Sequence, residues 1–398
     1  MAEKAASIAV IGGGIGGLAA GLSLLAAGLD VHVYEQSAQL GEIGAGIQIG
    51  PNASRLLNRL GMAEDLDRFG VRPGHWHQRR WDDGRTLLRS DLGAAAEAAF
   101  GAPYYNIHRA DLLAALGARL PAERLHLGHR LDRVVDHGDR VEARFGNGAT
   151  IAADALVGAD GIRSAVRAQL FDEDRPQFTG CIAYRGLVPA ERIAHLDLPV
   201  EAVAWLGPGN HFVHYYVRGG QLFNFVAVID RDTWTAESWT APGQVADVLA
   251  AFEGWHPIVR EIVGSVPETF VWGLFDHPPM AAWTRGRITL LGDSCHAMLP
   301  FIAQGAAQAI EDGACLAACL SAAPADLPAA LQRYERLRLP RATFVQGLAT
   351  RNKLRFHLPD GPDQAARDAE MAQGSTDWSL KAIAPVFGHD AGVLHDSA

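Results

Sequence analysis

The chain opens on a β-branched apolar run, Ser7-Ile-Ala-Val-Ile11, of the kind that forms a parallel strand buried on both faces. Gly12-Gly-Gly-Ile-Gly-Gly17 follows, and then an Ala- and Leu-rich segment to about Ala27 that predicts a helix ended by Gly28. Val31-His-Val-Tyr34 predicts a second strand, closed by Glu35. Two more buried strands are predicted far downstream. Ala155-Leu-Val-Gly158 leads into an Asp160-Gly161 turn and a helix start, and Arg287 to Leu291 leads into Gly292-Asp293. An Ala-rich helix then opens near Gly305. Between Phe178 and Phe275 the pattern changes to β-rich runs: Cys181 to Val188, His211 to Val217 and Leu222 to Ile229. Arg218-Gly-Gly-Gln221 joins the last two as a hairpin, and the segment from Trp76 to Leu88 adds strands to the same sheet. The fold class is α/β, with a mainly antiparallel β-sheet and C-terminal helices beside the βαβ part.

Length and composition narrow the reading. At 398 residues the chain exceeds one typical domain, and 48% hydrophobic against 20% charged residues allows a substantial core. Disorder and fibrous repeats are excluded. A formal net charge of -10 without a basic block argues against nucleic acid, because phosphate neutralisation needs clustered cations. The pair Arg79-Arg80 reads as a solvated surface feature. No membrane span is expected: the longest apolar stretch, Gly17 to Leu29, is too short. Met1-Ala-Glu-Lys4 runs directly into a strand without a targeting pattern. Cys181, Cys295, Cys315 and Cys319 form no CxxC pair and no metal spacing, so no metal is expected. Cys315 and Cys319, one helical turn apart, read as small buried hydrophobes, and a reducing cytoplasm fits them.

Gly12, Gly14 and Gly17 make G-x-G-x-x-G within a complete βαβ unit. Gly12 permits the tight turn, Gly14 lets backbone approach a pyrophosphate, and Gly17 lets helix and strand pack closely. The helix N-terminus faces the anion, and Glu35 sits where a carboxylate accepts hydrogen bonds from an adenosine ribose. Dinucleotide binding is the reading, with a purely structural Gly-rich turn as its alternative. The motif alone does not separate FAD from NAD.

The Asp160-Gly161 segment, the Gly292-Asp293-Ser-Cys-His296 segment followed by Pro300 and Gln304-Gly305, and His108-Arg109-Ala-Asp-Leu112 occur in that company and resemble the single-component FAD-dependent aromatic hydroxylases over nearly the whole chain. The resemblance implies a discontinuous, Rossmann-like FAD-binding domain over residues 1–72, 100–177 and 276–345. It implies a substrate domain over 73–99 and 178–275, and a helical tail over 346–398. Gly12, Gly14, Gly16, Gly17, Glu35, Gln36 and Leu131 would then hold the ADP half of FAD. Arg109 would meet the ribityl-phosphate region, Asp160 the pyrophosphate and NAD(P)H approach, and Asp293 the ribityl chain. Gly305 and Ala306 would contribute backbone N–H groups and a helix dipole to the flavin N1/O2 edge, where charge develops on reduction. Two departures stand out: Ala297 where relatives often carry Pro, and Ala303 where they often carry Gly. His296 faces the flavin or is structural.

Alternation along the strand puts His211, Val213 and Tyr215 on one face and Phe212, His214 and Tyr216 on the other. Alone, these residues also fit an ordinary half-buried strand wetted by solvent. Gly207 to Tyr215 resembles the matching strand of 3-hydroxybenzoate 6-hydroxylases and 6-hydroxynicotinate 3-monooxygenases. By that resemblance His211 is the base or hydrogen-bond partner of a phenolic oxygen, and Tyr215 an orienting or relay group. Gly44 to Gly50 resembles the loop under the isoalloxazine, with Gln48 where some relatives carry a substrate-contacting His. Pro300 resembles the salicylate and hydroxynicotinate enzymes, so the exact aromatic acid stays open. The implied reaction is hydroxylation, with or without decarboxylation, through a flavin C4a-hydroperoxide, consuming O2 and NADH or NADPH. Only one glycine motif is present, so the nicotinamide docks transiently. Further alternatives are a flavin oxidase or dehydrogenase on the same fold, and a non-catalytic flavin-binding redox partner. The resemblance also favours a homodimer.

Overall fold

The computed structural model describes residues 5–41, 45–171, 175–234, 241–373 and 379–394; Met1–Lys4, Gly44 and Trp378 of the C-terminal tail lie outside them. Ser7–Ile11 pairs in parallel with Asp30–Tyr34 on one side and Ala155–Gly158 on the other, and Ile288–Leu290 adds beyond the latter. Leu125–His126 and Thr284–Arg285 complete a six-stranded sheet at its two edges. Val10, Val31, Val33 and Leu156 are fully buried, as strands covered on both faces require. Helix Ile15–Ala26 leaves the first strand and packs on helix Gly305–Ala322. Gly28, just past its end, takes the left-handed conformation expected there, with φ of 83°.

The second large sheet has eight strands in the order 241–243, 269–276, 177–189, 222–230, 210–217, 202–207, 75–80 and 86–91. Its pairings are antiparallel except between Ala202–Gly207 and His75–Arg80. Period-two alternation sorts the sheet cleanly. Ile182, Phe212, Phe225 and Val271 pack under helices Val245–Ala251 and Pro257–Gly264. Ala183, Tyr215, Val228 and Trp272 face the opposite way, toward helix Leu327–Phe356 and the end of the chain.

A short strand, Gly46–Ile49, belongs to a separate three-stranded sheet and is tied to the eight-stranded one. It pairs with Tyr105–His108, while the Gly46 N–H donates to Asn224 Oδ1 at 2.7 Å in the eight-stranded sheet. Helix Leu327–Phe356 runs unbroken past residue 345, where the tail is expected to begin, and helices Pro362–Ala372 and Leu380–Phe387 follow it.

Arg79 and Arg80 are not a solvated pair. Strand alternation sends them to opposite faces, and each is held there. The Arg79 guanidinium stacks 4.5 Å from the Trp205 ring centre, and Arg80 is buried in ion pairs with Asp82 and Asp360 at 3.0 and 2.8 Å. Cys181, Cys295, Cys315 and Cys319 are free thiols, all buried. Among the described residues, no helix is long and apolar enough to cross a membrane.

Candidate active site

The glycine-rich turn divides its work among three positions. Gly12 has φ of 113°, and a Cβ there would lie 2.2 Å from the Ala159 carbonyl oxygen. A Cβ on Gly17 would lie 1.9 Å from the carbonyl oxygen of Gly12, so the turn can close only without a side chain. Gly14 is the opposite case. Nothing lies within 4 Å of its Cβ position, because it faces open space in a cavity of about 340 Å³ between the two sheets. Gly16 lines the same cavity, backed by Ala309 and Leu291.

Five separated segments meet in the lining of this cavity. Gly14, Arg109, Gly161 and Asp293 all line it, as do Gly305 and Ala306. Arg109 opens helix Arg109–Arg119, and Gly305 opens an 18-residue helix whose first-turn N–H groups have no intrahelical acceptors. Those donors and the helix dipole favour negative charge at the cavity. The turn before this helix contains Ala303 with φ of 53°, so the backbone keeps a glycine-like shape despite the side chain. Behind it, Asn52 donates to Gln304 Oε1 at 2.9 Å and to Glu311 Oε1 at 2.6 Å, which fixes the helix start.

Other expected cofactor residues lie outside the cavity lining. Glu35 accepts from the N–H groups of Gly13 and Ser37 at 2.7 and 2.8 Å, and so braces the glycine turn. Gln36 is exposed next to it, and Leu131 begins a strand close by, since the His129 N–H bonds the Glu35 carbonyl. The Asp160 carboxylate accepts from Ser164 Oγ and from the N–H groups of Ala165 and Val166, capping helix Ala165–Leu170. Its neighbour Gly161, rather than Asp160 itself, reaches the cavity. His296 is structural: it is fully buried, 2.6 Å from Asp312, against Trp283 and away from the cavity lining.

The far wall of the cavity is the eight-stranded sheet, and His211, Val213 and Tyr215 do face it. The His211 ring is packed between Phe301 and Phe356, with ring centres 4.8 and 5.5 Å away. Burial, aided by the neighbouring His357, pushes the His211 pKa well below its ordinary value, so the ring is neutral near pH 7. Burial raises the Tyr215 pKa, and the charge of Arg185 works the other way without cancelling it. Gln48 is buried and donates to Asn106 at 3.2 Å, with its side chain at the cavity edge. Pro300 starts the turn Pro300–Ile302 at the rim.

Three functional candidates were absent from the sequence reading. Arg185 lines the cavity with its guanidinium carbon 3.7 Å from the Trp272 ring centre, so a cation and an aromatic surface accompany Tyr215 in the lining. Its signal was present in the alternation of Cys181, Ala183 and Arg185 along one strand face. Trp272 follows from the same rule on Thr269–Asp276. His357, which touches His211, had no local signal, because the two are 146 residues apart in the chain.

A glycine cradle with room at Gly14, a carboxylate at Asp293 and a helix start at Gly305 suit a flavin dinucleotide laid along this cavity. A family model described as FAD binding domain matches residues 5–208 and 245–347. The chain belongs to this family, and it is an FAD-dependent monooxygenase. Among its relatives, a 3-amino-4-hydroxybenzoate 2-monooxygenase of Streptomyces platensis is 43% identical, with 96% of both chains covered. A 6-hydroxynicotinate 3-monooxygenase of Bordetella bronchiseptica is 38% identical over 87% of this chain and 91% of that one. Klebsiella pneumoniae HpxO, solved with FAD and uric acid, superposes with a TM-score of 0.84 at 26% identity, covering 96% of this chain and 97% of that one.

Proposed function

We propose that the protein hydroxylates a small aromatic or heteroaromatic acid that carries a ring hydroxyl, with or without loss of the carboxylate, at the expense of NADH or NADPH and O2. The observation that carries this reading is one cavity lined by two unlike sets of residues. Gly14, Asp293 and Gly305 line it from the six-stranded sheet and the helices packed on that sheet, and His211, Tyr215 and Arg185 line it from the eight-stranded sheet. Gly12, Gly14, Gly16, Gly17, Glu35, Gln36, Arg109, Leu131, Asp160, Asp293, Gly305 and Ala306 would hold FAD, within a discontinuous domain of residues 1–72, 100–177 and 276–345. When bound and reduced, FAD supplies an activated oxygen for transfer to the ring.

The protein's own residues prepare the acceptor. Neutral His211 accepts the proton of the ring hydroxyl, which pushes electron density into the ring and makes a carbon beside it a better nucleophile. Tyr215 orients that oxygen through its own hydroxyl. Arg185, stacked on Trp272, meets the substrate carboxylate with a charge-assisted hydrogen bond. Gln48 and Pro300 bound the ring at the cavity edge. The apolar lining from Val213, Val226, Val228, Leu274 and Phe301 keeps water from the reacting atoms. The nicotinamide docks transiently. The free buried cysteines fit a reducing cytoplasm, and the family resemblance favours a homodimer.

A panel of amino- and hydroxybenzoates and hydroxynicotinates tests the reading, with nicotinamide oxidation and product counted separately under ¹⁸O2. One labelled oxygen per product is the expected result. Turnover without label would instead mark an oxidase or dehydrogenase, and flavin binding without any substrate-stimulated oxidation would mark a redox-dependent binding protein.

A further inference from the structure

His211 is the first member of a chain of groups that leaves the cavity. Its Nδ1 lies 2.7 Å from Nε2 of His357, and Nδ1 of His357 lies 2.7 Å from Oδ1 of Asp230. His357 follows the last residue of helix Leu327–Phe356 and is held in place through its carbonyl, which accepts the Gly209 N–H at 3.1 Å. The two histidine side chains are buried, whereas the Asp230 side chain is 48% exposed. The chain therefore runs from a water-poor cavity to solvent in three residues.

Its hydrogens can be assigned from one end. Burial works to raise the Asp230 carboxyl, but the hydrogen bonds from His357 and Cys181 and the nearby charge of Lys353 outweigh it and hold it below its ordinary value. An ionised carboxylate only accepts, so Nδ1 of His357 carries the hydrogen. In the neutral ring, Nε2 of His357 then has a lone pair and must accept from Nδ1–H of His211. That leaves the lone pair of His211 on Nε2, the ring nitrogen outside the chain, on a residue that lines the cavity.

We propose that His357 and Asp230 are positioning and proton-relay residues that make Nε2 of His211 the base of the reaction. The inference rests on the reading that His211 faces a substrate hydroxyl. Written out, the substrate O–H bond breaks and its proton bonds to Nε2 of His211. The Nδ1 proton of His211 moves to Nε2 of His357, and no electrons change hands. The positive charge comes to rest on His357 beside the Asp230 carboxylate, not on His211 in its apolar setting. A single buried imidazole would have to carry that charge between Phe301 and Phe356. Among the described residues, the other titratable and charged groups acting on Asp230 are Cys181, which donates to Asp230 Oδ1 at 3.2 Å, and Lys353 on the helix, which places a positive charge near it.

Asp230→Asn tests the proposal because its amide can donate to Nδ1 of His357. Both rings then reverse, and Nε2 of His211 carries a hydrogen instead of a lone pair. In a related triad the same exchange imposes the wrong histidine tautomer. The FAD-loaded full-length enzyme would be titrated with 4-hydroxy-3-nitrobenzoate, whose phenolate absorbs in the visible, and turnover followed on the best substrate of the panel. In Asp230→Asn and His357→Gln, the bound probe should ionise about one pH unit or more above the wild-type midpoint. Hydroxylation kcat should fall on the order of 10²-fold, with KM and flavin content little changed. Asp230→Glu should restore both. The sign is diagnostic, because removal of a negative charge without a relay would favour the phenolate and lower the midpoint. Wild-type midpoints and kcat in Asp230→Asn and His357→Gln would overturn the relay. So would flavin loss in Asp230→Asn that Asp230→Glu does not repair, since that marks a structural role. A wild-type enzyme that neither binds the probe nor hydroxylates any panel member would overturn the functional reading, and the relay with it.

Discussion

Gly14 and Gly17 stand three residues apart in one motif, and the same substitution should affect them differently. A methyl at Gly17 meets the Gly12 carbonyl oxygen at 1.9 Å, whereas one at Gly14 meets only the cavity. Gly17→Ala should therefore destabilise the apoprotein by about 1–3 kcal/mol or more, as overpacking against backbone does. Gly14→Ala should leave apoprotein unfolding unchanged and weaken flavin uptake. Urea unfolding and flavin titration of both variants separate the two roles. Ala303 offers a test of opposite sign. Its φ of 53° is a left-handed conformation that costs a non-glycine residue about 1–2 kcal/mol, so Ala303→Gly should stabilise the fold by about 1 kcal/mol. An unshifted or lowered urea midpoint would show that another contact offsets the strain.

At the scale of elements, helices Gly305–Ala322 and Leu327–Phe356 are bolted together by buried charge. Arg338 bonds Asp312 at 2.7 Å and Glu311 at 2.5 Å, Arg341 adds a second contact to Glu311 at 3.0 Å, and His296 a second to Asp312. Burial alone would raise both carboxyls, but the charges of Arg338 and its neighbours outweigh it and hold each at about 2. A carboxyl held below its unfolded value adds stability above that unfolded value and loses it as pH falls. Acid unfolding should thus concentrate between about pH 4.5 and 2. Arg338→Met leaves both carboxylates underpaired and should cost about 3–5 kcal/mol, with the acid transition moved to higher pH. Circular dichroism followed against pH for both proteins is the measurement. None of this network was legible in the sequence. An Ala-rich helix announces its length and period, but Glu311 and Asp312 look like ordinary surface acids until Arg338 arrives from the next helix. Arg79 and Arg80 were misread for the same reason, since the Trp205 ring and Asp360 that bury them come from distant parts of the chain. By contrast, the βαβ unit, the hairpin at Arg218 to Gln221 and the alternation of His211, Val213 and Tyr215 were readable. Each depends on turn chemistry or strand period within a few residues.

For the molecule as a whole, the site is a meeting of halves, and each half was readable to a different depth. The proposed FAD-binding residues follow from motifs that lie in order along the chain. The proposed substrate residues depend on which strand neighbours which, so Arg185 and Trp272 emerge only once the sheet is assembled. Arg185→Ala should raise KM for carboxylated substrates about 10- to 100-fold, the value of a charge-assisted hydrogen bond, and leave matching phenols without the carboxylate unaffected. Equal losses on both ligand types would remove Arg185 as the carboxylate anchor. The 30-residue helix Leu327–Phe356 joins the halves, because Arg338 near its middle grips the helix that begins at Gly305 and His357 at its end touches His211. A clip by a protease after the loop near Pro359 would spare that contact, while one a single turn earlier would sever it. The shortened polypeptide could then stay yellow and still burn nicotinamide, releasing peroxide where an oxygenated product belongs.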